Sequence, residues 1–152
     1  MKRLIIIIFI VLFTFHSCSK DKEVVAFDEI EFSMKSGLPT ILISINGKPA
    51  KLLVDSGAMS SVLNIDSAEQ YGFDYRMMDG YAIGGVGGSA KAGIVSGAIV
   101  HTRSGERLPI KFKCINLNKI GSKLGIVGIV GSDYFHKHGY VIDYSNNTLK
   151  RN

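Results

Sequence analysis

Cysteine is scarce in this chain, which has only Cys18 and Cys114 among its 152 residues. If Cys18 is chemically modified, Cys114 is a lone thiol and no disulfide can form within the chain. We expect Cys114 to be a small buried side chain rather than a reactive nucleophile. The stability of the fold must therefore come from packing.

Blocks of basic residues are also missing beyond the N-terminus. The net charge is +5, and without Lys2 and Arg3 the chain keeps 16 basic against 13 acidic residues, a net charge of +3. Nucleic-acid-binding domains concentrate Lys and Arg on one face or in one run. We therefore expect no nucleic acid partner.

Long apolar runs are limited to Leu4–Phe15, which follows Lys2 and Arg3. Its length of about a dozen residues is typical of a signal peptide and short for a bilayer span. The run ends at Ser17-Cys18, which resembles a bacterial lipoprotein processing site, although Phe15 and His16 stand where smaller or aliphatic residues are usual. Ordinary secretion with an unmodified Cys18, or a retained signal anchor, is the alternative.

The expected organisation follows from this N-terminus. Residues 1–18 are predicted to be a signal peptide, residues 19–23 a polar tether, and residues 24–152 a single domain. Lipid on Cys18 would anchor the domain to the bacterial cell envelope, at the outer membrane, facing the periplasm or the exterior. The membrane, through this lipid, is then a partner.

The domain has no heptad pattern and no long amphipathic helix. Residues Thr40–Ile45 alternate, Asn46-Gly47 is a strong hairpin signal, and Ala50–Val54 returns. Many short strands with frequent turns predict a mostly β barrel or sandwich. The further expected strands are 24–34, 59–64, 81–83, 94–100, 108–115, 140–144 and 148–151. Two short helices are expected, one capped by Asp66 and ended by Gly72, the other capped by Ser132-Asp133 and ended by Gly139.

The candidate catalytic residue is Asp55, which directly follows the apolar run Leu52-Leu53-Val54. An ionised Asp at the end of a buried strand is costly unless a partner or a reaction uses it. Peptide hydrolysis needs a base for water and an acid for the departing amine, and two carboxylates about 3 Å apart that share one proton supply both. The alternative role for Asp55 is to cap a turn.

Five glycines, Gly84, Gly85, Gly87, Gly88 and Gly93, predict a flexible hairpin or loop. A phosphate-binding loop is the alternative, but no Lys-Ser or Lys-Thr follows. The histidines do not supply four metal ligands, since His136 and His138 are two residues apart and His101 is remote. No Gly-x-Ser-x-Gly motif supports a serine nucleophile.

A short apolar segment, Ile129-Val130-Gly131, precedes an acid and two aromatic residues, Asp133-Tyr134-Phe135. Together with Val54-Asp55-Ser56-Gly57-Ala58 and the glycine hairpin, it resembles the retropepsin-like aspartic protease family in its bacterial, single-lobe form. In that family an apolar stretch ending in Gly passes beneath the active-site loop. The resemblance covers residues 40–151.

The resemblance implies a closed or orthogonal β-barrel with one or two short helices, and an endopeptidase in which Asp55 activates a water. It implies that Ser56, Gly57 and Ala58 support the catalytic carboxylates and that Ile129, Val130 and Gly131 support the site. The implied flap over a peptide or protein substrate is Gly84, Gly85, Val86, Gly87 and Gly88. No cofactor or metal is required.

A second Asp-Ser-Gly or Asp-Thr-Gly is missing from the sequence. The second catalytic Asp must then come from another copy, which predicts a symmetric homodimer with an Asp55 dyad on its two-fold axis. The alternative is a non-catalytic peptide-binding or structural β-barrel lipoprotein that retains the protease fold.

Overall fold

The computed structural model describes residues 29–85 and 88–151, without the side chains of Asn118 and Lys119. The predicted signal peptide, the tether and Cys18 lie outside the described residues and stay predictions. The strands are β1 (Glu29–Glu31), β2 (Thr40–Ile45), β3 (Lys48–Val54), β4 (Val62–Asn64), β5 (Asp74–Gly85), β6 (Gly88–Ser96), β7 (Val100–Thr102), β8 (Arg107–Leu108), β9 (Lys113–Ile115), β10 (Gly128–Val130), β11 (Tyr140–Asp143) and β12 (Thr148–Arg151). The helices are α1 (Ala68–Tyr71), preceded by a 3-10 turn (Ile65–Ser67), α2 (Asn118–Leu124) and α3 (Ser132–His138).

The strands form two sheets. A sheet of nine strands has the order β5-β6-β9-β4-β10-β3-β2-β7-β8, and a sheet of three has the order β1-β12-β11. The larger sheet curls into a half-barrel, and the expected mostly β fold class is confirmed. In the part of the chain that the structure describes, no helix has the length and apolar character to span a membrane.

The hairpin of β2 and β3 is the predicted one. Its register pairs Ile45 with Lys48 across a two-residue turn, in which Asn46 and Gly47 have φ of 50° and 78°. Positive φ at both central residues is the requirement of a type I′ turn, which Asn-Gly satisfies. The hairpin thus directs β3 towards Asp55.

The core lies on the inner face of this hairpin and its neighbours. Ile41, Ile43 and Ile45 alternate into it as expected, and Leu52 on the paired strand is fully buried. Each such side chain contributes about 1.5–3 kcal/mol relative to an exposed position. The core therefore anchors the strand that carries the candidate acid.

Several expected strands are shorter than predicted. Residues 108–115 form two strands rather than one, because Pro109 has no N–H for a sheet ladder. Residues 59–61 belong to a loop, and β4 begins at Val62. Of the first expected strand, only Glu29–Glu31 is a strand, and residues 24–28 lie outside the described part.

In the hairpin of β5 and β6, the first strand starts earlier than expected and the second strand ends earlier than expected. Pairing with β6 extends β5 back to Asp74, and β6 ends before Gly97, whose φ is 74°.

Helix α2 was not expected. The described residues therefore contain three short helices instead of one or two. The residue before it, Leu117, is positioned by Asn64, whose side-chain Oδ1 accepts a hydrogen bond from the Leu117 backbone N–H at 3.0 Å. Local sequence does not reveal this contact.

The two predicted helices are present with different starts. Gly72 and Gly139 end them in the left-handed conformation, as expected. Asp66 does not cap the first, because it lies within the 3-10 turn before it, and Ser67 is the N-cap residue, without a side-chain cap hydrogen bond.

Candidate active site

Strand β3 brings Asp55 to the edge of the core. Leu52, Leu53 and Val54 are buried, and the chain leaves the sheet at Asp55, which is half-buried. The backbone N–H of Ala58 donates to the Asp55 carbonyl at 3.1 Å, which closes a tight turn. The carboxylate is therefore presented by a loop that follows the buried end of β3.

Gly57 orients that carboxylate. Its backbone N–H donates to Asp55 Oδ1 at 2.9 Å, and a Cβ at this position would lie 3.2 Å from the same oxygen. Ser56 and Gly57 are exposed, and Ala58 is half-buried. The structure thus brings Asp55, Ser56, Gly57 and Ala58 together in one turn, while their catalytic roles stay predictions.

Strand β10 passes beside this turn. It pairs in parallel with β3, with Val130 beside Val54, and the Val130 carbonyl accepts a hydrogen bond from the Asp55 backbone N–H at 3.0 Å. Ile129 is half-buried and Val130 fully buried. The segment predicted to lie beneath the acid-bearing loop is in contact with it.

Gly128 and Gly131 on either side of Ile129 and Val130 pack tightly against neighbouring backbone. A Cβ on Gly131 would lie 2.7 Å from the Ala58 carbonyl oxygen, and one on Gly128 would lie 2.5 Å from the Val62 carbonyl oxygen. Both neighbours are backbone atoms that cannot rotate away. Only glycine lets β10 approach the loop this closely.

Ser132 and Asp133 do not cap α3 in the expected way. Gly131 is the N-cap residue, and no side-chain hydrogen bond caps it. Ser132 instead donates its backbone N–H and its hydroxyl to the Ala58 carbonyl, at 2.8 and 3.0 Å. Asp133 Oδ1 accepts from Ser61 and from the Tyr134 backbone N–H. Both side chains therefore form hydrogen bonds to the Asp55 loop instead of capping the helix.

The glycine-rich segment was expected to form a hairpin or a loop, and it forms a hairpin. Strands β5 and β6 are paired out to Gly85 and Gly88, with a register shift between Met77 and Ala82. Gly84, Gly85 and Gly88 are exposed. Val86 and Gly87, at the predicted tip of the flap, lie outside the described residues. The role of this hairpin as a flap stays a prediction.

Lys113 is a site residue that the sequence did not reveal. It lies on β9, its ammonium donates to Ser60 Oγ at 2.8 Å, and it lies 5.3 Å from the centre of the Tyr81 ring. Ser60 belongs to the Asp55 loop and Tyr81 to β5. The order of the strands brings these three residues together, and no local pattern predicts it.

Metal-ligating side chains are dispersed. Across residues 29–85 and 88–151, no three His, Cys, Asp or Glu side chains are grouped so that they could hold a metal ion. Cys114 is buried, as expected, and burial raises the pKa of its thiol.

Comparison with known proteins identifies the family to which the chain is similar. The family model described as "gag-polyprotein putative aspartyl protease" matches residues 41–133, which include Asp55, the glycine hairpin and β10. A protein named DNA damage-inducible protein 1, from Cryptococcus neoformans, is 32% identical over 130 residues. That match covers 81% of this chain and 28% of the relative, so the chain spans little more than a quarter of its length.

Solved structures agree with the fold. The retroviral protease-like domain of Ddi1 from Leishmania major has a TM-score of 0.54 and 27% identity, over 76% of this chain and 88% of that chain. A retropepsin-like aspartic protease from Rickettsia conorii, at 21% identity over 80% of this chain and 86% of that chain, shares the fold with a TM-score of 0.51. Since the family model covers more than half of the sequence, the chain belongs to the retropepsin-like, gag-type aspartyl protease family.

Proposed function

We propose that this protein is an aspartic endopeptidase whose active site is shared between two copies of the chain. Each copy contributes one Asp55 carboxylate, and the pair lies on the two-fold axis of a homodimer. The substrate is a peptide or a protein, held between the Asp55 loops and the β5–β6 hairpins. The hairpins act as flaps that close over the bound peptide.

The observation that carries this proposal is the setting of Asp55. The carboxylate stands at the end of a buried strand, oriented by Gly57 and braced from below by β10. The sequence has a single Asp-Ser-Gly motif, so one chain supplies one such acid. Ser56 next to it is exposed, and its hydroxyl has no hydrogen-bond partner within the described residues. A second Asp55 loop placed against the first would supply both the missing acid and a partner for Ser56.

The chemistry follows from two carboxyl groups that share one proton. The ionised Asp55 takes a proton from a water molecule as the water oxygen attacks the scissile carbonyl carbon. The protonated Asp55 of the partner gives its proton to the carbonyl oxygen, which yields a tetrahedral diol. The first Asp55, which now holds the proton from water, then gives it to the amide nitrogen as the C–N bond breaks. The ionised Asp55 of the partner takes a proton from one hydroxyl of the diol as the C=O bond forms again. Two nearby carboxyls hold this mixed state because both cannot ionise at once.

Peptide cleavage by the full-length chain tests the enzyme. We expect turnover of a diverse peptide library between acidic and neutral pH, and its loss in Asp55→Asn, which keeps the shape of the side chain but removes the carboxylate. The control Asp66→Asn makes the same change at an exposed acid outside the site and should retain activity. A stable dimer that cleaves nothing, or an active Asp55→Asn chain, would contradict the proposal.

Mixing the wild-type chain with Asp55→Asn tests the shared dyad. If each active site needs Asp55 from both copies, activity falls with the square of the wild-type fraction once subunits exchange. If each chain acts alone, activity falls in proportion to that fraction. Sedimentation of the same mixtures reports whether a dimer is present.

We further propose that lipid on Cys18 anchors the enzyme to the cell envelope. The apolar run Leu4–Phe15, the Ser17-Cys18 pair and the polar residues 19–23 support this proposal. Mass spectrometry of the mature N-terminus should find a lipidated Cys18, and an unmodified Cys18 would contradict it.

A further inference from the structure

Lys113 lies where the Asp55 loop and the β5–β6 hairpin meet. Its strand, β9, is inserted between β6 and β4, so Lys113 stands beside Ile94 on one side and Val62 on the other. Its ammonium donates to Ser60 Oγ at 2.8 Å and lies 5.3 Å from the centre of the Tyr81 ring. The cation is therefore held between one side chain of the acid-bearing loop and one of the hairpin.

The ammonium of Lys113 has no carboxylate within salt-bridge distance among the residues that the structure describes. The salt bridge found among the described residues joins Lys150 and Asp143, which lie in the other sheet. Lys113 is half-buried, so its charge is partly withdrawn from water, and its contacts are a hydroxyl and an aromatic face. An ammonium has three donors, and the hydroxyl uses one of them. The remaining N–H groups can donate hydrogen bonds to a bound anionic group.

The surroundings of the cation suit a side chain of an extended peptide. Residues directly opposite in an antiparallel pair face the same side of the sheet, so Lys113 and Ile94 share one face, and Ile94 is 43% exposed. Tyr81 stands over the ammonium, and Ser60 holds it from the loop. An exposed apolar side chain next to an uncompensated cation matches the methylene groups and the carboxylate of Glu or Asp.

We propose that Lys113, positioned by Ser60 and Tyr81, forms a subsite that selects an acidic side chain of the substrate peptide. This inference rests on the proposed function, since it places the subsite at the edge of the cleft that holds the peptide. Lys113 is a specificity-determining residue and takes no part in the chemical step. The preferred substrates are peptides with Glu or Asp at one position near the scissile bond.

Peptide binding and peptide cleavage, measured separately, test this subsite. The probe is a synthetic library with amidated C-termini, in which one position at a time is set to Glu, Gln or Lys. Amidation removes the terminal carboxylate, so a preference for Glu reports the side chain. Binding is measured on the full-length Asp55→Asn chain, and cleavage on the chain with Asp55. Each measurement is repeated with Lys113→Gln and Lys113→Glu, and with the control Lys111→Gln, which neutralises an exposed lysine outside β9.

We expect the Glu library to bind about tenfold more tightly than the Gln library at one position. Lys113→Gln should abolish this preference, Lys113→Glu should turn it towards Lys, and Lys111→Gln should keep it. Unchanged thermal unfolding of each variant shows that the fold is intact. High salt should weaken the preference, because the site is partly open to solvent.

The outcomes separate this inference from the proposed function. Cleavage without any Lys113-dependent preference would overturn the subsite and leave the endopeptidase standing. A Lys113-dependent preference in binding, without cleavage by the Asp55 chain, would support the subsite on a peptide-binding domain and overturn the enzyme. Absence of binding by every library would overturn the subsite.

Discussion

Ser61 and Asp133 are 72 residues apart in the sequence and are joined by two hydrogen bonds. Asp133 Oδ1 accepts from the Ser61 backbone N–H at 2.8 Å and from the Ser61 hydroxyl at 2.7 Å. The same hydroxyl accepts from the Gly131 backbone N–H at 3.0 Å. Because Ser61 is fully buried, water cannot replace these bonds. The pair connects the end of the Asp55 loop to the start of α3.

Removing Asp133 should therefore destabilise the loop as well as the helix. Asp133→Ala leaves the Ser61 donors without their acceptor, and we expect a loss of about 3 kcal/mol in unfolding free energy. Ser61→Ala should cost about 1–2 kcal/mol, and the double variant should cost less than the sum because the two residues are coupled. Denaturant titration of the four proteins measures the coupling. Additive losses would show that the two side chains act independently.

Gly131 should not tolerate a side chain. Gly131→Ala would press a Cβ against the Ala58 carbonyl oxygen, at 2.7 Å before relaxation, and we expect a loss of about 1–3 kcal/mol from overpacking. The matched control is Gly84→Ala, since a Cβ there meets no atom within 4 Å. Equal stability of the two variants in denaturant titrations would show that the loop and β10 can separate freely.

Asn46 has a larger role than its place in the β2–β3 turn indicates. Its amide nitrogen donates to the carbonyls of Tyr71, Gly72 and Gly97, and its amide oxygen accepts from the Ile99 N–H at 2.9 Å. Asn46→Asp allows a left-handed turn but replaces the donor with an anion that faces three carbonyls. We expect a loss of about 3 kcal/mol by thermal or denaturant unfolding.

The control for this prediction is Asn46→Gly, which adopts positive φ easily and removes the side chain without adding a charge. Asn46→Gly should be less destabilising than Asn46→Asp. The opposite order would indicate that the turn conformation matters more than the bonds to the neighbouring segments.

His138 should make the fold sensitive to acid. Its Nε2 is buried and has no hydrogen-bond partner within the described residues, and its ring lies 4.8 Å from the Tyr134 ring. Burial, and then the charges of Lys137 and Arg151, lower the pKa of His138 below its ordinary value of 6.5. The unfolded chain therefore binds the proton at a higher pH than the native chain does. The folded chain therefore loses stability as the pH falls from above the ordinary pKa of histidine to below the lower pKa that His138 has in the fold.

Thermal unfolding across pH measures this effect. Between about pH 7.5 and about pH 5, the wild type should lose more stability than His138→Gln, which cannot titrate. The control His136→Gln changes an exposed histidine of the same helix and should follow the wild type. Parallel curves for wild type and His138→Gln would contradict the assignment.

Features that depend on neighbouring residues were predictable from the sequence. Asn46-Gly47 indicated the hairpin because both residues accept positive φ, and Gly72 and Gly139 indicated helix ends for the same reason. The apolar run before Asp55 indicated a buried strand, and β3 is one. The roles of Asp55, Ser56 and the flap stay predictions, since they depend on a partner copy and a peptide.

The assignment of Asp133 shows where local reasoning ends. An acid at the start of a helix is a reasonable cap by its position, but the nearest donors in space belong to Ser61, in the Asp55 loop 72 residues away in the sequence. Helix α2 was missed for a related reason, because Asn64 positions its start from another strand.

The sequence by itself determined the β-rich fold class, the hairpin that leads to Asp55 and the family of the chain, because each is encoded in short patterns of apolar, glycine and turn residues. The tertiary structure alone decided which side chains brace the Asp55 loop and which cation stands beside it. The parallel pairings of β10 with β3 and of β4 with β9 bring distant segments into contact. Hydrogen bonds across such pairings are set by register and strand order, which no local pattern specifies.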